Sequence, residues 1–532
     1  MSSHERNMGH LRPPSVDDLM RAARREHLGL SEAECEELVP FAADFVRAFD
    51  GVEDLGDVLV PVRYPRTPGR RPTVDEDPMN AFVRILEIPG ADDGPLAGRR
   101  IGVKDNIAVA GVPVTNGSRT FAYTPVQDAV VVERILDAGG TIVGKLNLDD
   151  FSASGFGDTS VFGPARNPID PSRSAGGSSS GSGSAVAAGL VDMALGVDQG
   201  GSVRLPAAAC GLIGIKATHG LVPSFGVTHM DHTLDCVGPM ARTVADAALL
   251  LSVIAGPDWR DPQWVRDFEL DDYVAGAADG VAGLRVGVVA ESLDPELCEP
   301  AVLDGVEAAR GALAQGGAQV EDMTIPLWSS SFAIWVGMLV ATWGPMLRTY
   351  SVGFGHMGLI EVERAHAASL VRREEGHLLP ATVKLVLLVN SYLDERYHGV
   401  PLARAHNQRL ALREALDDAL SDYDLLLTPT VPRVAVELPR GRLTPVEAMS
   451  RIVSETILAG PANVTGHPAL AVPSGRDAAG LPTSAQVIGR RWGDRRVVAA
   501  GAAIERVLGL EASAAKPPTP GRKTGSPSAP LG

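Results

Sequence analysis

Two serine-bearing stretches have the residue types and spacing for nucleophilic chemistry. Residues 176–184 read GGSSSGSGS, and further on MALGVDQGGSVRLPAAACG predicts a strand, a glycine turn and a helix that opens at Ser202. Glycines let a backbone approach a ligand closely, and the first turn of a helix has backbone N–H groups without partners. A hydroxyl at Ser202 could therefore attack a carbonyl while neighbouring N–H groups stabilise the oxyanion. A serine N-cap explains the same position equally well.

The Gly/Ser run itself has three simpler interpretations, and its context disfavours each of them. A flexible linker would join two folded units, but an apolar, structured pattern follows this run at once. A P-loop needs a lysine after its last glycine, and a dinucleotide loop needs a strand before its first glycine; neither is present. Gly177, Ser179 and Gly181 satisfy G-x-S-x-G, yet the proline-containing loop before them is not the strand that a nucleophile elbow requires.

An attacking serine needs a base, and Lys104 in IGVKDN is a candidate. Burial at the end of an apolar strand would lower the pKa of its amine until the neutral form could accept a proton. On position alone, a lysine whose stem is covered and whose amine reaches water is the commoner case. Twelve histidines are present, but none lies near these loops in the sequence. His229, Asp231 and His232 lie close together, but no further ligand has the spacing of a zinc site, so no metal is predicted.

The elements that must position these residues predict an α/β fold. Two amphipathic helices that open with capping boxes predict a small helical N-terminal domain over residues 1–60, and a proline-rich linker follows over residues 61–80. From residue 81, short β-branched runs alternate with alanine-rich helical runs. This alternation predicts a large mixed β-sheet covered by helices on both faces, in a catalytic domain over residues 81–512. The Pro/Gly/Ser-rich residues 513–532 predict a disordered tail.

The composition excludes several classes of protein. The formal net charge of −17 provides no basic field to neutralise phosphates, so no nucleic-acid partner is expected. The four cysteines are scattered without any CxxC, which favours reduced thiols over a disulfide framework. The N-terminus has no apolar signal segment, and apolar stretches such as ALLLSVIAG are too short to span a bilayer. We therefore expect a cytoplasmic protein without a membrane partner.

Three separated motifs together resemble the amidase signature family. The family pattern is a Gly/Ser-rich loop, a fixed gap and then D-x-G-G-S-[hydrophobic]-R-x-P, which residues 176–181 and 198–206 match. Upstream, residues 104–106 match the K-D-N element of the family. The resemblance covers roughly residues 85–510 of the sequence. Within the family, the chain looks most like the bacterial amidases that work beside nitrile hydratases on aliphatic and aromatic amides.

The resemblance implies a Ser-Ser-Lys triad that works without a cofactor or a metal. Ser202 is the expected nucleophile, which forms an acyl-enzyme. Lys104 is the expected ultimate base, and it is neutral in the resting enzyme. Ser178 is expected to follow a cis peptide bond and to relay the proton between the other two, so that Ser179 has no catalytic part.

The resemblance also implies the groups around the nucleophile. The backbone N–H groups of Gln199, Gly200 and Gly201, together with that of Ser202, are the expected oxyanion hole. Apart from the resemblance, two charged residues flank the turn, Asp198 and Arg204, and we expect them to hold it by charge-assisted hydrogen bonds, with a direct catalytic role as the alternative. The related subgroup carries a helical N-terminal extension and is commonly dimeric, so a homodimer is expected.

The expected reaction is hydrolysis of a small-molecule carboxylic acid amide to the acid and ammonia. In an alternative, the same triad passes the acyl group to an amine, which would make the protein an amide acyltransferase or a pathway-specific tailoring amidase. A binding protein on an inactive amidase fold is a third hypothesis, and the intact lysine and serines argue against it. The pocket walls are expected from residues 300–460, which carry no portable signature, so the acyl group stays open.

Overall fold

The computed structural model describes residues 11–261, 263, 269–350, 352, 358–439, 441, 444, 446–447 and 455–509. Residues up to Pro61 and residues from Val62 onward form two compact units. The predicted tail over residues 513–532 lies outside the described residues.

The first unit contains two helices, α1 Val16–Arg25 and α2 Glu32–Glu53. Both begin with a capping box, in which Ser15 or Ser31 accepts a backbone hydrogen bond and the acidic residue three positions later accepts one in return. Pro40 lies inside α2 without ending it. The local sequence therefore accounts for both helix starts.

One side of α2 is apolar and open to solvent. Phe41, Phe45 and Phe49 occupy successive turns and are 66%, 73% and 64% exposed. Leu38 and Val52 extend the same row and are also exposed. A contiguous row of large, exposed apolar side chains is typical of an interaction surface.

The second unit is built on one mixed sheet of eleven strands. The strands are β1 Phe82–Ile88, β2 Arg100–Lys104, β3 Thr141–Leu146, β4 Met193–Asp198, β5 Ile213–Lys216, β6 Cys236–Ala241, β7 Arg285–Val289, β8 Gln319–Met323, β9 Leu425–Pro429, β10 Ala469–Arg476 and β11 Pro482–Gly489. Their order in the sheet is β1-β3-β2-β4-β6-β5-β10-β11-β9-β7-β8. β2 lies parallel to both β3 and β4, and β4 pairs antiparallel with β6.

Helices cover both faces of this sheet. They are α3 Val130–Asp137, α4 Ser180–Ala187, α5 Arg204–Cys210, α6 Val244–Ile254, α7 Tyr273–Gly276, α8 Pro300–Gln315, α9 Ser331–Arg348, α10 Val362–Glu374, α11 Ala381–Tyr397, α12 Val400–Asp422, α13 Gly460–Thr465 and α14 Asp494–Leu508. Leu425 and Leu427 of β9 join a core that includes α3, α6, α8 and α14, whereas Leu426 between them joins the core under α9 to α12. This alternation along a strand is the period of two that buries both faces of a sheet. The predicted mixed sheet with helices on both faces is confirmed.

The linker was predicted over residues 61–80, and residues 62–80 belong to the second unit. Arg70 and Ile85 of β1 exchange backbone hydrogen bonds of 3.0 and 2.9 Å. Arg66 forms an ion pair with the buried carboxylate of Asp128. The proline-containing segment is therefore an extended stretch of chain on the sheet edge beside β1. The boundary between the two units falls after Pro61.

The segment Pro326–Arg348, which includes α9, is long and apolar enough to cross a membrane by length and composition, with a mean hydropathy of 1.3. The expectation that every apolar stretch is too short to span a bilayer is wrong for this segment. Trp335, Met338 and Trp343 of α9 are buried in the core that α9 shares with α12. Its apolar character therefore serves packing within the unit.

Candidate active site

Lys104 and Ser178 lie in direct contact. Lys104 ends β2, and its Nζ lies 2.8 Å from Ser178 Oγ and 3.4 Å from the carbonyl oxygen of Val197 in β4. Both side chains are fully buried, and the peptide bond between Gly177 and Ser178 is cis. β2 pairs with β4, and the loop that contains Ser178 directly precedes α4. Lys104, at the end of β2, lies next to this loop.

The surroundings of Lys104 favour a neutral amine. Burial lowers the pKa of Lys104 to about 7, although the carboxyl groups of Asp149, Asp235 and Asp198 oppose this shift. The desolvation of an ammonium in a closed interior is large enough to outweigh such neighbours. A substantial fraction of Lys104 can therefore accept a proton near neutral pH.

Three other serines of the Gly/Ser run, Ser179, Ser182 and Ser184, bond to backbone groups, whereas the buried hydroxyl of Ser180 has no hydrogen-bond partner among the described residues. Ser179 Oγ lies 3.4 Å from the backbone nitrogen of Val197 and accepts its hydrogen bond. Ser182 Oγ donates to the carbonyl oxygen of Leu195 at 2.9 Å, and Ser184 Oγ donates to that of Arg166 at 2.7 Å. These hydroxyls satisfy backbone groups, whereas the hydroxyl of Ser178 is the one that meets Lys104.

The turn after β4 is tied by a buried ion pair. Arg204 donates to both carboxylate oxygens of Asp198, at 3.0 Å from Nε and 2.9 Å from Nη2. The remaining guanidinium donors reach the carbonyl oxygen of Ala459 and the side-chain oxygens of Gln486 and Asn463. Both charged groups are fully buried, so their bidentate pairing and added hydrogen bonds offset the cost of desolvation.

Asp198 also shapes the backbone of the turn. Its carboxylate accepts hydrogen bonds from the N–H groups of Gly201 at 2.7 Å and Val203 at 3.1 Å. Burial alone would raise the pKa of Asp198, but the charge and hydrogen bonds of Arg204, with Asn463, lower it to about 2. The carboxylate is therefore ionised at neutral pH and fixes the turn that carries Ser202.

The backbone donors at this turn differ in one respect from the expected set. The N–H of Gly201 is occupied by Asp198, whereas no residue in the described ranges accepts a hydrogen bond from the N–H groups of Gln199, Gly200 or Ser202. Gly201 has a φ of +126°, which strongly favours glycine. Helix α5 begins at Arg204 rather than at Ser202, which lies in the turn and is 7% exposed. Gly201 thus shapes the turn, and three neighbouring donors remain for a ligand.

Trp335 of α9 covers the other side of the turn. Its Nε1 donates to the carbonyl oxygen of Gln199 at 3.0 Å, and a Cβ at Gly200 would come within 2.8 Å of its indole ring. The side chain of Gln199 is 3% exposed, and neither of its polar atoms has a hydrogen-bond partner among the described residues. A buried amide without partners is uncommon in folded proteins, so it marks a place where a ligand can bind.

The second unit also contains a narrow cavity. It is lined by Asn116, Phe121, Phe151, Thr228, His229, Met230, Trp343, Met346, Leu347, Ala368, Val371 and Leu379. Its wall is hydrogen-bonded to the segment that follows β2, since the N–H of Thr228 donates to the carbonyl oxygen of Asn106, two residues after Lys104, at 2.8 Å. Its lining is mainly apolar and aromatic, which suits an uncharged ligand. Neither this cavity nor the surface depression around Trp492 is lined by any of the predicted site residues.

The histidine-containing stretch beside the cavity forms a hydrogen-bonded network. His229 Nδ1 lies 3.2 Å from Asp235 Oδ2, and His229 Nε2 lies 3.1 Å from the carbonyl oxygen of Ser224. Burial raises the pKa of Asp235 to about 8. Across the described residues, no group of three or more His, Cys, Asp or Glu side chains is arranged to hold a metal ion.

Some residues at the site carried no signal in the sequence analysis. Asn463 donates to the carbonyl oxygen of Asp198 at 2.8 Å from a position 265 residues away, and no spacing rule connects the two. Trp335 lies in a helix whose apolar pattern indicates only burial. Asp149, whose N–H donates to the carbonyl oxygen of Ser178, lies three residues after the end of β3, and a polar residue shortly after a strand was the available signal.

Comparisons with known proteins identify the family of the chain. The sequence model of the Amidase family matches residues 84–498. The chain is similar to an enantioselective amidase of Rhodococcus rhodochrous, at 39% identity over 94% of this chain and 97% of the relative. It is also similar to a glutamyl-tRNA(Gln) amidotransferase subunit of Halobacterium salinarum, at 39% identity over 80% of this chain and all of the relative.

Two solved structures extend the comparison. The glutamyl-tRNA(Gln) amidotransferase subunit of Thermotoga maritima matches with a TM-score of 0.67 at 33% identity, over 81% of this chain and 88% of that one. The peptide amidase PAM in complex with the inhibitor chymostatin also matches with a TM-score of 0.67, at 27% identity over 82% and 92% of the two chains.

Proposed function

The chain belongs to the amidase family and is a hydrolase that acts on amides, and on that premise we propose that it cleaves primary amides to the carboxylic acid and ammonia. Lys104, Ser178 and Ser202 are the proposed catalytic residues. The 2.8 Å hydrogen bond between Lys104 Nζ and Ser178 Oγ is the observation that carries the proposal. A buried lysine in contact with a serine of this loop is the pair that a proton relay requires.

In the first half of the reaction, Ser202 Oγ attacks the amide carbonyl carbon. Its proton passes to Ser178 Oγ, while the proton of Ser178 passes to the neutral amine of Lys104. The oxyanion that develops accepts hydrogen bonds from the N–H groups of Gln199, Gly200 and Ser202, with Gly201 holding the turn open. The pKa of Lys104, lowered by burial to about 7, supports this direction of proton transfer.

In the second half, the proton returns along the same relay to the leaving nitrogen. Ammonia departs and an ester between the acyl group and Ser202 Oγ remains. A water molecule then loses its proton to the relay, attacks this ester and releases the acid. The same lysine thus acts as base in each attack and as acid in each departure.

The triad is tested by single substitutions assayed for ammonia release on a panel of aliphatic, aromatic and amino-acid amides. Ser202→Ala should lower kcat by about 10⁴-fold or more, and Lys104→Ala and Ser178→Ala by at least about 10²-fold. Ser182→Ala is the matched control, since this buried serine bonds only to the backbone of β4. Wild-type turnover in Ser202→Ala, Lys104→Ala or Ser178→Ala would contradict the proposal.

The lining of the narrow cavity supports an uncharged, apolar acyl group as the part of the substrate bound there. Phe121, Phe151 and Trp343 contribute aromatic surface that favours such a group. Ala368→Phe would fill the cavity and should lower kcat/KM for phenyl-substituted amides more than for propionamide. Leu370→Phe, on the exposed side of the same helix α10, is its control. Glutamine as the preferred substrate would overturn this part of the proposal.

An acyl transfer reaction is the second candidate, and the similarity to amidotransferase subunits favours testing it. The acyl-enzyme would pass its acyl group to an amine or hydroxylamine instead of water. Product analysis with and without an added amine distinguishes the two reactions. A hydroxamate or substituted amide that forms faster than the acid would favour transfer.

We also propose that residues 1–60 form a separate helical domain, residues 81–512 a catalytic domain, and that two copies associate through α2. The exposed row of Phe41, Phe45 and Phe49 supports this, because a second copy would remove it from water. Phe45→Lys should convert a dimer to a monomer in light scattering coupled to size exclusion. A monomeric wild type, or a dimeric Phe45→Lys variant, would contradict the association.

We propose the cytoplasm as the place of action. The four cysteines of the chain are buried and unpaired, which supports a reducing compartment. Cell fractionation with an activity assay tests this, and activity confined to a membrane pellet would contradict it.

A further inference from the structure

The loop that follows β3 is attached to the loop of Ser178 at several points. The N–H of Asp149 donates to the carbonyl oxygen of Ser178 at 3.2 Å, and the N–H of Gly177 donates to the carbonyl oxygen of Gly155 at 2.8 Å. A Cβ at Gly177 would lie 2.2 Å from Asp149 Oδ2. The carboxylate of Asp149 is therefore packed directly against the backbone that presents Ser178.

The carboxylate of Asp149 also holds its own loop closed. Oδ2 accepts a hydrogen bond from the N–H of Gly157 at 2.9 Å, and Oδ1 accepts from the N–H and the hydroxyl of Thr159 at 3.0 and 2.7 Å. These bonds use both oxygens, and Asp149 is fully buried. Its position is thus set by three donors and cannot drift toward or away from Ser178 independently of them.

The charge of Asp149 also acts on the amine of Lys104 and opposes the lowering of its pKa by burial. Three carboxyl groups influence the amine: Asp149 after β3, Asp235 before β6 and Asp198 at the end of β4, with Asp149 the largest influence. Asp198 is neutralised by its pairing with Arg204. Burial raises the pKa of Asp149 to about 6, and the nearby carboxylate of Asp158 adds to this shift. Near neutral pH, Asp149 is therefore largely ionised and favours the protonated form of Lys104.

We propose that Asp149 is a positioning residue of this enzyme, which holds Ser178 within reach of Lys104 and sets the charge that Lys104 experiences. This inference rests on the proposed function, because the reaction is its readout. Asp149 does not touch the reacting atoms. It acts through the loop backbone and through the proton affinity of Lys104.

The test compares Asp149→Asn with Asp77→Asn. Asp77 is the matched control: a buried carboxyl that accepts backbone hydrogen bonds from Ala81 and Phe82. Asp149→Asn should lower kcat by about tenfold or more at nearly unchanged KM, since the relay is misplaced. It should also move the acid limb of the kcat/KM profile to lower pH by about one unit, because the anion beside Lys104 is gone. Asp77→Asn should leave that limb in place.

If Asp149→Asn does not fold, a second pair of variants tests the positioning role of Asp149. Thr159→Val removes one donor to the carboxylate and should lower kcat and shift the limb in the same direction, and Thr159→Ser should restore both. An active Asp149→Asn or Thr159→Val enzyme whose acid limb coincides with that of the wild type would overturn the inference and leave the proposed function standing. A wild type without activity on any amide would overturn the proposed function, and this inference with it.

Discussion

Replacing Lys104 with methionine should abolish amide hydrolysis and at the same time stabilise the protein at neutral pH. Methionine has a similar length and fits an apolar interior, but it has no group that accepts a proton. Most substitutions of a fully buried residue destabilise, so a gain in stability at this position is a specific outcome. It follows from the cost of keeping an amine in the core.

The magnitude comes from the pKa of this amine. An ordinary lysine has a pKa of 10.5, and burial lowers that of Lys104 to about 7. One pKa unit corresponds to about 1.4 kcal/mol. At pH 7, the lowered pKa of Lys104 therefore reduces the free energy of unfolding by roughly 4–5 kcal/mol. Methionine removes that cost but leaves Ser178 Oγ without the bond to Nζ, which costs roughly 1–3 kcal/mol. We expect Lys104→Met to exceed the wild type in free energy of unfolding by about 2 kcal/mol.

This advantage should depend on pH with a definite sign. The pKa of Lys104 is lower in the folded state than in the unfolded state, so the unfolded chain binds the proton more tightly between about pH 7 and pH 10.5. Wild-type stability from this group therefore rises with pH through that window. The advantage of Lys104→Met should shrink by roughly 2 kcal/mol between pH 7 and pH 9.

Urea unfolding followed by tryptophan fluorescence at these two pH values measures the difference. Lys384→Met is the control, since the amine of Lys384 makes its hydrogen bond at the surface. Its difference from the wild type should be small and the same at both pH values. A Lys104→Met difference that does not change with pH would mean that Lys104 is charged in the folded enzyme, which would refute its assignment as the base.

Three further outcomes are expected from the same geometry. Below about pH 7, kcat/KM should fall about tenfold per pH unit, because only neutral Lys104 accepts a proton; a rate profile that is flat to pH 5 would contradict this. Gly200→Ala should lower kcat by about 10²-fold or more, because its Cβ would press on the Trp335 ring. Adding Trp335→Leu should recover part of this loss. Steady-state kinetics that show full activity in Gly200→Ala would disprove the role of the turn. Asp198→Asn should destabilise by about 3–5 kcal/mol, because it leaves the guanidinium of Arg204 buried without its anion; a shift below about 1 kcal/mol in urea unfolding would show that the pair is not needed.

The fold was predictable from the sequence because its strands are short, β-branched and separated by helical runs. Leu425, Leu426 and Leu427 illustrate the limit of that approach. Their uninterrupted apolar run indicates a strand buried on both faces, but not which helices lie on each face. The strand order places β10 and β11 between β5 and β9, and such crossovers depend on long-range packing that local patterns do not record.

The candidate site was predictable where its residues lie within short motifs. Lys104 and Ser202 were candidates from a strand end and a glycine turn, whereas Ser178 was named only from the resemblance to the amidase signature family. The use of the Gly201 N–H by Asp198 was not predicted, because a side chain that folds back on its own turn leaves no trace in residue spacing. Residues 61–80 were predicted as a linker from their prolines, and proline equally suits an extended segment at a sheet edge.

The contacts of Arg204 have a consequence for when the enzyme becomes active. Every proposed catalytic side chain lies between residues 104 and 202, and so does Asp198, the ion-pair partner of Arg204, but the other groups that accept hydrogen bonds from Arg204 come from residues 459–486. During synthesis, the ribosome delivers all the reactive groups long before the segments that fasten the turn beneath them. A nascent or truncated chain that ends before β11 therefore carries the proposed catalytic residues without all the partners of Arg204, and we expect it to be inactive.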